Sequence, residues 1–107
     1  MKIVYSLTAQ NDLRSIFQYI SMHLNAPDAA KHIFEEITKS IRGLSELPER
    51  YPLCLDEPWN KLGMHKMVVL NYIVFYLVDN NSNRVSIARI VYGGRNLEDI
   101  MDEEISY

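Results

Sequence analysis

The sequence predicts an α+β protein with the element order β-α-α-β-β-β, in which an antiparallel helical hairpin packs on one face of a small twisted sheet. Two observations support this class. Before residue 48, apolar residues recur at three- and four-residue steps, as on one face of a helix. After residue 63, runs of β-branched and aromatic residues alternate with clusters of turn-forming residues. Two helices followed by a strand meander is an order typical of α+β domains.

The chain begins with a predicted strand at residues 2–7, followed by the first helix. Thr8 is the predicted N-cap of this helix, because a threonine side chain accepts a hydrogen bond from the first turn. The helix has one apolar stripe, formed by Leu13, Ile16, Phe17, Ile20 and Leu24. The segment Asn25-Ala26-Pro27 is expected to end it.

The second helix is expected to begin at Pro27, because proline is well tolerated in the first turn of a helix. Its apolar stripe consists of Ala30, Ile33, Phe34, Ile37, Ile41 and Leu44. Pro48 is the predicted end. The short connection between the two helices predicts that they pack as an antiparallel hairpin.

A loop and a three-stranded meander follow. Residues 48–62 contain three prolines and show no period, which predicts a loop pinned by Tyr51, Leu55 and Trp59. The strands are predicted at residues 64–69, 72–78 and 84–90. The turns between them are Leu70-Asn71 and the polar run 79–83.

Composition indicates a soluble globular protein, with 48% hydrophobic and 23% charged residues. We expect residues 1–107 to form one domain with an acidic tail from about residue 97. No apolar run approaches the roughly 18 residues that span a bilayer, so no membrane association is expected. Cys54 is the single cysteine, which excludes an intrachain disulfide and favours the cytoplasm.

Charge is distributed unevenly along the chain. The net charge is −3, whereas proteins that bind nucleic acid usually have a basic surplus. Residues 80–97 contain three arginines and no acid, and residues 98–104 contain five acids. The strand segment therefore leaves nucleic-acid contact open, while the tail argues against it.

Four segments together resemble the RelE/ParE superfamily of toxins from bacterial type II toxin–antitoxin pairs. The first helix has Asp12-Leu13, Ile16 and Tyr19-Ile20 at the family's spacing. Residues 47–52 resemble the proline-marked exit from its second helix, and residues 72–76 resemble its central strand. Residues 89–96, which read RIVYGGRN, are similar to its closing motif. The similarity covers nearly the whole chain.

The resemblance implies a toxin that is neutralised by a cognate antitoxin protein and needs no cofactor. RelE-like members are ribosome-dependent ribonucleases that cut mRNA. ParE-like members are associated with poisoning of DNA gyrase and have no recognised ribonuclease centre. The two branches therefore imply different partners, the ribosome with its mRNA or DNA gyrase.

Ribonuclease chemistry needs a group that deprotonates the nucleophile, cations that stabilise the phosphorane, and an acid for the leaving oxygen. RelE-like ribonucleases place an arginine directly after the central-strand tyrosine, where this chain has Ile73. Their tyrosine or histidine in the C-terminal tail falls near Met101 here. Two roles thus have no evident occupant, which favours the ParE-like branch and a toxin that is not an enzyme.

The alternative is a RelE-like endoribonuclease that uses His65, Lys66 and Arg95. Arg95 matches a phosphate-binding arginine of the family, and Lys66 is a possible match to a basic residue of the preceding strand. His65 and Lys66 are strand neighbours, so they are expected on opposite faces of the sheet. A solvated strand residue is the simpler interpretation of His65. A further alternative is a non-toxic remnant that retains antitoxin binding.

The predicted surface for the target or the antitoxin comprises Arg89, Tyr92, Gly93, Gly94 and Arg95. Simpler interpretations exist for some of these residues. Arg89, which alternates with Ile87 and Val91, can extend from a partly buried face or pair with an acid of the hairpin. The two glycines can serve a tight turn with positive φ.

Two further expectations complete the sequence analysis. His23 and His32 lack the spacing and the neighbours of a metal site, so no metal is expected. Helices on one side of a single sheet leave its other face or an edge open to a partner.

Overall fold

The computed structural model of the chain describes residues 1–93. The elements, in chain order, are β1 (Lys2–Tyr5), α1 (Leu7–Gln18), a π-helix (Tyr19–His23), α2 (Pro27–Gly43), β2 (His65–Val69), β3 (Tyr72–Asp79) and β4 (Arg84–Tyr92). The predicted α+β class, with two helices packed on a four-stranded sheet, is confirmed. None of the described helices is long and apolar enough to cross a bilayer.

The sheet has the order β1-β4-β3-β2. Strands β2, β3 and β4 form the predicted antiparallel meander, and β1 pairs in parallel with the first half of β4. The two predicted turns are present. Leu70 takes the left-handed conformation (φ 55°) between β2 and β3, and the Asp79 carboxylate accepts hydrogen bonds from the backbone of Asn81 and Ser82 between β3 and β4.

The N-cap of α1 is Ser6, and the predicted cap at Thr8 is wrong. The Ser6 hydroxyl accepts a hydrogen bond from the Ala9 N–H and donates one to the Ala88 carbonyl, both at 2.9 Å. The Ser6 N–H also donates to the Ile87 carbonyl. Capping at Ser6 therefore ends β1 at Tyr5 instead of Leu7, and it fixes the start of α1 against β4.

The two helices pack side by side, as predicted. After the π-helix, Asn25 adopts a left-handed conformation (φ 50°) that turns the chain into α2. The rings of Phe17 and Phe34 meet edge to face across the hairpin, with centroids 6.1 Å apart. The helix α2 ends at Gly43, before the predicted stop at Pro48, and turns fill the interval.

Both faces of the sheet are covered in part. Val74 and Ile90 belong to the cluster between sheet and helices, whereas their strand neighbours Phe75 and Val91 belong to a second cluster. Because successive strand residues point to opposite faces, this second cluster lies on the other side of the sheet. The sequence predicts that the other face or an edge of the sheet is left for a partner; a loop covers part of that face.

The loop between α2 and β2 supplies this cover. Trp59 is 6% exposed and packs with Cys54 and Met64 in the second cluster, and Tyr51 packs against the first. The Cys54 N–H donates to the Met64 carbonyl at 2.7 Å, which folds the loop back onto the start of β2. Leu55 is 84% exposed, so the prediction that it pins the loop is wrong.

A β-bulge in β4 changes which side chains share a face. Phe75 pairs with Arg89 and Tyr76 pairs with Ile87, so Ala88 is the extra residue. One inserted residue reverses the alternation beyond it. Ile87 accordingly lies in the cluster below the helices and Val91 in the second cluster, so the prediction that Ile87, Arg89 and Val91 share a face is wrong.

Candidate functional site

Arg89 and Asp12 form a buried ion pair between β4 and α1. The Arg89 Nε and Nη2 atoms donate to the Asp12 carboxylate at 2.7 and 3.0 Å. The same carboxylate accepts a third hydrogen bond from the Ile90 N–H at 3.0 Å. The predicted pairing of Arg89 with an acid of the hairpin is therefore present. Asp12 thereby binds the Ile90 N–H, which lies on the part of β4 that has no β1 residue paired with it.

The Arg89 side chain is 7% exposed, and the Asp12 side chain is 15% exposed. Separating an arginine from its carboxylate at this depth would leave an uncompensated charge in a poorly solvated place. The third guanidinium nitrogen, Nη1, is buried and has no hydrogen-bond partner among the described residues. Arg89 is thus held in place from one side by Asp12.

A pocket opens beside this pair, at the end of β4. We call it the β4-end pocket. Its apolar wall comes from the helices, and its polar rim from three tyrosines and the ion pair; the lining includes Asp12, Ile16, Tyr19, Ile20, Ile33, Tyr72, Arg89 and Tyr92. The rings of Tyr72 and Tyr92 meet edge to face, with centroids 5.8 Å apart. Apolar walls with a few directed polar groups suit an apolar segment that also presents hydrogen-bonding groups.

Tyr72 of this pocket is not a proton-transfer group at neutral pH. Burial raises the pKa of Tyr72 above its usual value of 10.0, and the nearby phenols of Tyr92 and Tyr19 raise it further. A phenol with a raised pKa stays protonated, so it donates and accepts hydrogen bonds without releasing a proton. Tyr92 is 49% exposed and lies on the outer rim.

Gly93 approaches the turn between β2 and β3. Its N–H donates to the Asn71 carbonyl at 2.8 Å, and a Cβ at this position would lie 3.3 Å from the same oxygen. Gly63 is the one glycine within residues 1–93 that has a positive φ. The predicted positive φ is therefore wrong for Gly93, whose lack of a side chain serves close packing. Gly94 and Arg95 lie outside the described residues.

His65 is half-buried and hydrogen-bonded, so the interpretation as a solvated strand residue is wrong. Its Nδ1 lies 2.8 Å from the Tyr51 carbonyl oxygen, and its ring stacks on Tyr76 with centroids 5.0 Å apart. Because a carbonyl only accepts, this contact assigns the proton of the neutral ring to Nδ1. The loop supplies the Tyr51 carbonyl, which the spacing of β2 alone did not indicate.

Lys66 lies on the opposite face of β2 from His65. His65 contacts Tyr76 of the cluster below the helices. Lys66 pairs directly with Phe75 of β3, which belongs to the second cluster, and directly paired strand residues point to the same face. This agrees with the prediction that the two side chains point apart, so they do not form one catalytic group.

Cys54 is a buried packing residue of the second cluster. Burial is the largest influence on the Cys54 thiol and raises its pKa, which disfavours the reactive thiolate. Ile73 packs against the second cluster. Residues 1–93 contain no group of three or more His, Cys, Asp or Glu side chains that could hold a metal ion.

A second, apolar depression lies between the two helices, and we call it the helix groove. Its lining includes Tyr5, Leu13, Arg14, Phe17, Phe34 and Arg42. Phe17 and Phe34 are 37% and 40% exposed, although both belong to predicted apolar stripes. Periodicity does not separate these two residues from the buried members of each stripe, because all share the helical period.

Asp12, Tyr19 and Tyr72 are among the members of the β4-end pocket that the sequence analysis does not identify as site residues. Asp12 appeared only as part of the family resemblance. A signal for it was available, since an acid in the hairpin was the predicted alternative partner of Arg89. Tyr19 begins the π-helix, and such helices are frequent at functional sites. The sequence offered no indication of that irregularity.

Comparison with known proteins gives one family. A family model described as the ParE toxin of type II toxin–antitoxin system, parDE, matches residues 3–97. No match was found among curated protein sequences.

Solved structures share the fold at low sequence identity. A structure of the chromosomal ParDE toxin–antitoxin system of P. aeruginosa aligns with a TM-score of 0.70 at 18% identity, covering 86% of this chain and 95% of the other. The isolated E. coli RelE toxin aligns with a TM-score of 0.63 at 13% identity, covering 98% of both chains. The RelBE2 toxin–antitoxin complex of Mycobacterium tuberculosis aligns with a TM-score of 0.58 at 20% identity, covering 85% of this chain and 95% of that one.

Proposed function

The chain belongs to the ParE toxin family of type II toxin–antitoxin systems, and we propose that it inhibits DNA gyrase and is neutralised by a cognate antitoxin in the cytoplasm. The observation that supports this target most directly is Ile73, an apolar residue that packs against the second cluster. It stands where RelE-like ribonucleases place an arginine. An isoleucine offers no charge to a scissile phosphate, whereas phosphoryl chemistry depends on such charge.

The remaining ribonuclease candidates also fit binding better than cleavage. His65 donates its Nδ1 proton to a backbone carbonyl, and Lys66 points to the other face of the sheet. Arg89 is bound by Asp12 on two of its three nitrogens, so its charge is largely compensated. RNA cleavage needs an acid, a base and an unpaired cation close together, and the candidates within residues 1–93 do not converge in this way. This arrangement favours a toxin that is not an enzyme.

We propose that the target contacts the rim of the β4-end pocket. Tyr92 is half-exposed on this rim, and Gly93 follows it at the end of the sheet. In this proposal Arg89 acts from beneath, because its pairing with Asp12 fixes the strand segment from which Tyr92 projects. Gly94 and Arg95, which continue the same segment in the sequence, are proposed to extend this surface.

The antitoxin partner is proposed from the family and from the neighbours. The P. aeruginosa structure is of a ParDE system and the M. tuberculosis structure is of a toxin–antitoxin complex. A protein of this family is expected to be produced together with an antitoxin that blocks it. The described surface offers two depressions to such a partner, the β4-end pocket and the helix groove.

The test is to induce the protein in bacteria without an antitoxin, and to follow DNA synthesis, protein synthesis and total mRNA separately. Inhibition of gyrase predicts early arrest of DNA synthesis with a DNA-damage response while mRNA stays intact. Rapid loss of mRNA with arrested translation would overturn the gyrase proposal in favour of a RelE-like ribonuclease. Normal growth despite soluble, folded protein would instead indicate a remnant without toxicity.

A further inference from the structure

We propose that the β4-end pocket is a binding site for a small, uncharged, planar aromatic molecule that carries a hydrogen-bond acceptor such as an amide carbonyl. The rings of this ligand lie against the apolar wall, and its acceptor faces Arg89 and Tyr72. The binding site rests on the pocket alone. Its effect on gyrase rests on the proposed function.

The pocket has the size and the wall of a small-molecule site. Its volume is about 820 Å³, and ligand pockets commonly measure roughly 300–1,000 Å³. Ile16 of α1, Ile20 of the π-helix and Ile33 of α2 line its apolar side. A ring system placed there removes carbon surface of the ligand and of these side chains from water, which supplies the main driving force for binding.

A buried donor on the polar side of the pocket lacks an acceptor. Arg89 lines the pocket, and its Nε and Nη2 atoms donate to Asp12. Its Nη1 atom is buried and has no hydrogen-bond partner within residues 1–93. Because an unpaired buried donor is costly, a ligand acceptor that reaches Nη1 removes this cost on binding. Reaching it requires a small rotation of a pocket side chain, a change that is common when partners bind.

Three phenol groups gather on the same side of the pocket. The rings of Tyr72 and Tyr92 meet with centroids 5.8 Å apart, and the phenols of Tyr92 and Tyr19 are close enough to Tyr72 to raise its pKa. A protonated tyrosine donates a hydrogen bond through its hydroxyl and packs against another aromatic ring through its face. A planar ligand with an acceptor uses both properties.

The charges that line the pocket favour an uncharged ligand. In the described part of the chain, Asp12 and Arg89 are the charged residues of the lining, and they are paired with each other. A ligand carboxylate would bring a net negative charge close to Asp12 and lose its hydration in a largely apolar space. A carbonyl oxygen accepts from the same donors without this penalty.

The test uses three compounds that share a two-ring system: 2-naphthamide, 2-naphthoate and 2-ethylnaphthalene. Each is titrated into the isotopically labelled full-length protein and followed by NMR. We expect 2-naphthamide to shift signals of the pocket residues and to bind about two- to tenfold more tightly than 2-ethylnaphthalene, the gain of one net hydrogen bond. It should bind about tenfold more tightly than 2-naphthoate, whose charge must be desolvated. Absence of binding, shifts mapped to another surface, or 2-naphthoate as the tightest ligand would overturn the proposal.

Two variants locate the site, and each has a matched control. Ala29→Trp adds an indole to the pocket from an exposed position of α2, so it should weaken binding of all ligands by about tenfold or more. Glu35→Trp adds the same side chain at an exposed position of α2 that does not line the pocket, and it should bind like the wild type. The same affinity in both variants would overturn the proposal.

Tyr72→Phe tests the polar contact. It keeps the ring and removes the hydroxyl, so the preference for 2-naphthamide over 2-ethylnaphthalene should shrink. Tyr5→Phe removes a phenol that lines the helix groove instead, and it should retain the full preference. An unchanged preference in Tyr72→Phe, or an equal reduction in Tyr5→Phe, would contradict the assigned role of Tyr72.

Occupation of the pocket should also weaken the proposed action on gyrase, because Tyr92 belongs both to the pocket and to the proposed target surface. Saturating 2-naphthamide should raise the concentration of the protein that is needed to inhibit supercoiling, with gyrase and 2-naphthamide alone as the control. Unaltered inhibition with the pocket occupied would overturn this effect. Selective binding of 2-naphthamide to a protein that does not inhibit gyrase would overturn the gyrase proposal and leave the ligand site supported.

Discussion

The Arg89 guanidinium on β4 and the Asp12 carboxylate on α1 meet at 2.7 Å beneath the surface, 77 residues apart in the chain. The carboxylate also accepts the Ile90 N–H. This places one acid between a buried cation and an otherwise unpaired backbone donor of β4. The pair therefore connects the helical hairpin to the strand that ends at Tyr92, where the proposed target surface begins.

Asp12→Ala is expected to destabilise the fold by about 3–5 kcal/mol, because it leaves the Arg89 charge buried without a partner. Chemical denaturation measures the free energy of unfolding. Glu35→Ala, at an exposed site on α2, is the matched control and should change it by less than about 0.5 kcal/mol. The Asp12→Ala/Arg89→Met double variant should recover part of the loss, since it removes the stranded charge. A double variant less stable than Asp12→Ala would contradict this account.

Tyr92→Ala is expected to raise the inducer concentration needed to inhibit growth by at least about tenfold, while the protein stays folded. The side chain is 49% exposed, so its removal costs little packing but deletes an aromatic ring from the rim of the β4-end pocket. Growth inhibition on induction measures the effect, and circular dichroism checks the fold. Leu7→Ala, which removes a side chain that is 72% exposed elsewhere, should retain full toxicity. Equal toxicity of wild type and Tyr92→Ala would remove Tyr92 from the proposed surface.

Tyr76 is expected to make the protein sensitive to alkaline pH. Burial raises the pKa of Tyr76 from 10.0 to about 12, and the hydroxyl donates to the Pro48 carbonyl at 2.7 Å. Because the pKa is higher in the folded state, this stabilisation is complete below pH 10 and is lost as the pH rises through about 12. Chemical denaturation at pH values between 8 and 12 should show that the free energy of unfolding declines less steeply for Tyr76→Phe than for the wild type. Equal slopes for both proteins would contradict the assignment.

Trp59→Ala is expected to destabilise the protein by about 3–5 kcal/mol, because it empties part of the second cluster. Trp59 is 6% exposed, whereas the nearby Leu55 is 84% exposed. Leu55→Ala is therefore the control and should be close to neutral in denaturation. If both substitutions cost the same, the loop does not cover the second face of the sheet in the way described.

The elements of this fold were predictable because each has a strong local signal. The helical stripes recur every three or four residues, so periodicity suffices to locate the helices. The turns at Leu70-Asn71 and 79–83 are marked by their own residue types. The N-cap was misassigned by two residues because Ser6 and Thr8 have similar capping ability, and Ser6 gains a second contact at Ala88 that only the tertiary structure reveals. The bulge at Ala88 likewise depends on strand pairing, which no alternation pattern within β4 contains.

The candidate site was less predictable than the fold for a related reason. Tyr92 and Arg89 were found through a motif at the end of one strand, but the residues that complete the pocket come from other elements. Asp12 lies within α1, Tyr19 begins the π-helix that follows it, and Tyr72 lies at the start of β3. Their convergence depends on how α1 crosses the sheet, so sequence spacing offered no measure of it.

The most direct test of the proposed function is supercoiling of relaxed plasmid by purified DNA gyrase in the presence of the purified protein. A ParE toxin that acts on gyrase should reduce supercoiling in a dose-dependent manner, and Tyr92→Ala should be weaker by about tenfold or more. Unchanged supercoiling at a large molar excess of folded protein would contradict the assignment of gyrase as the target.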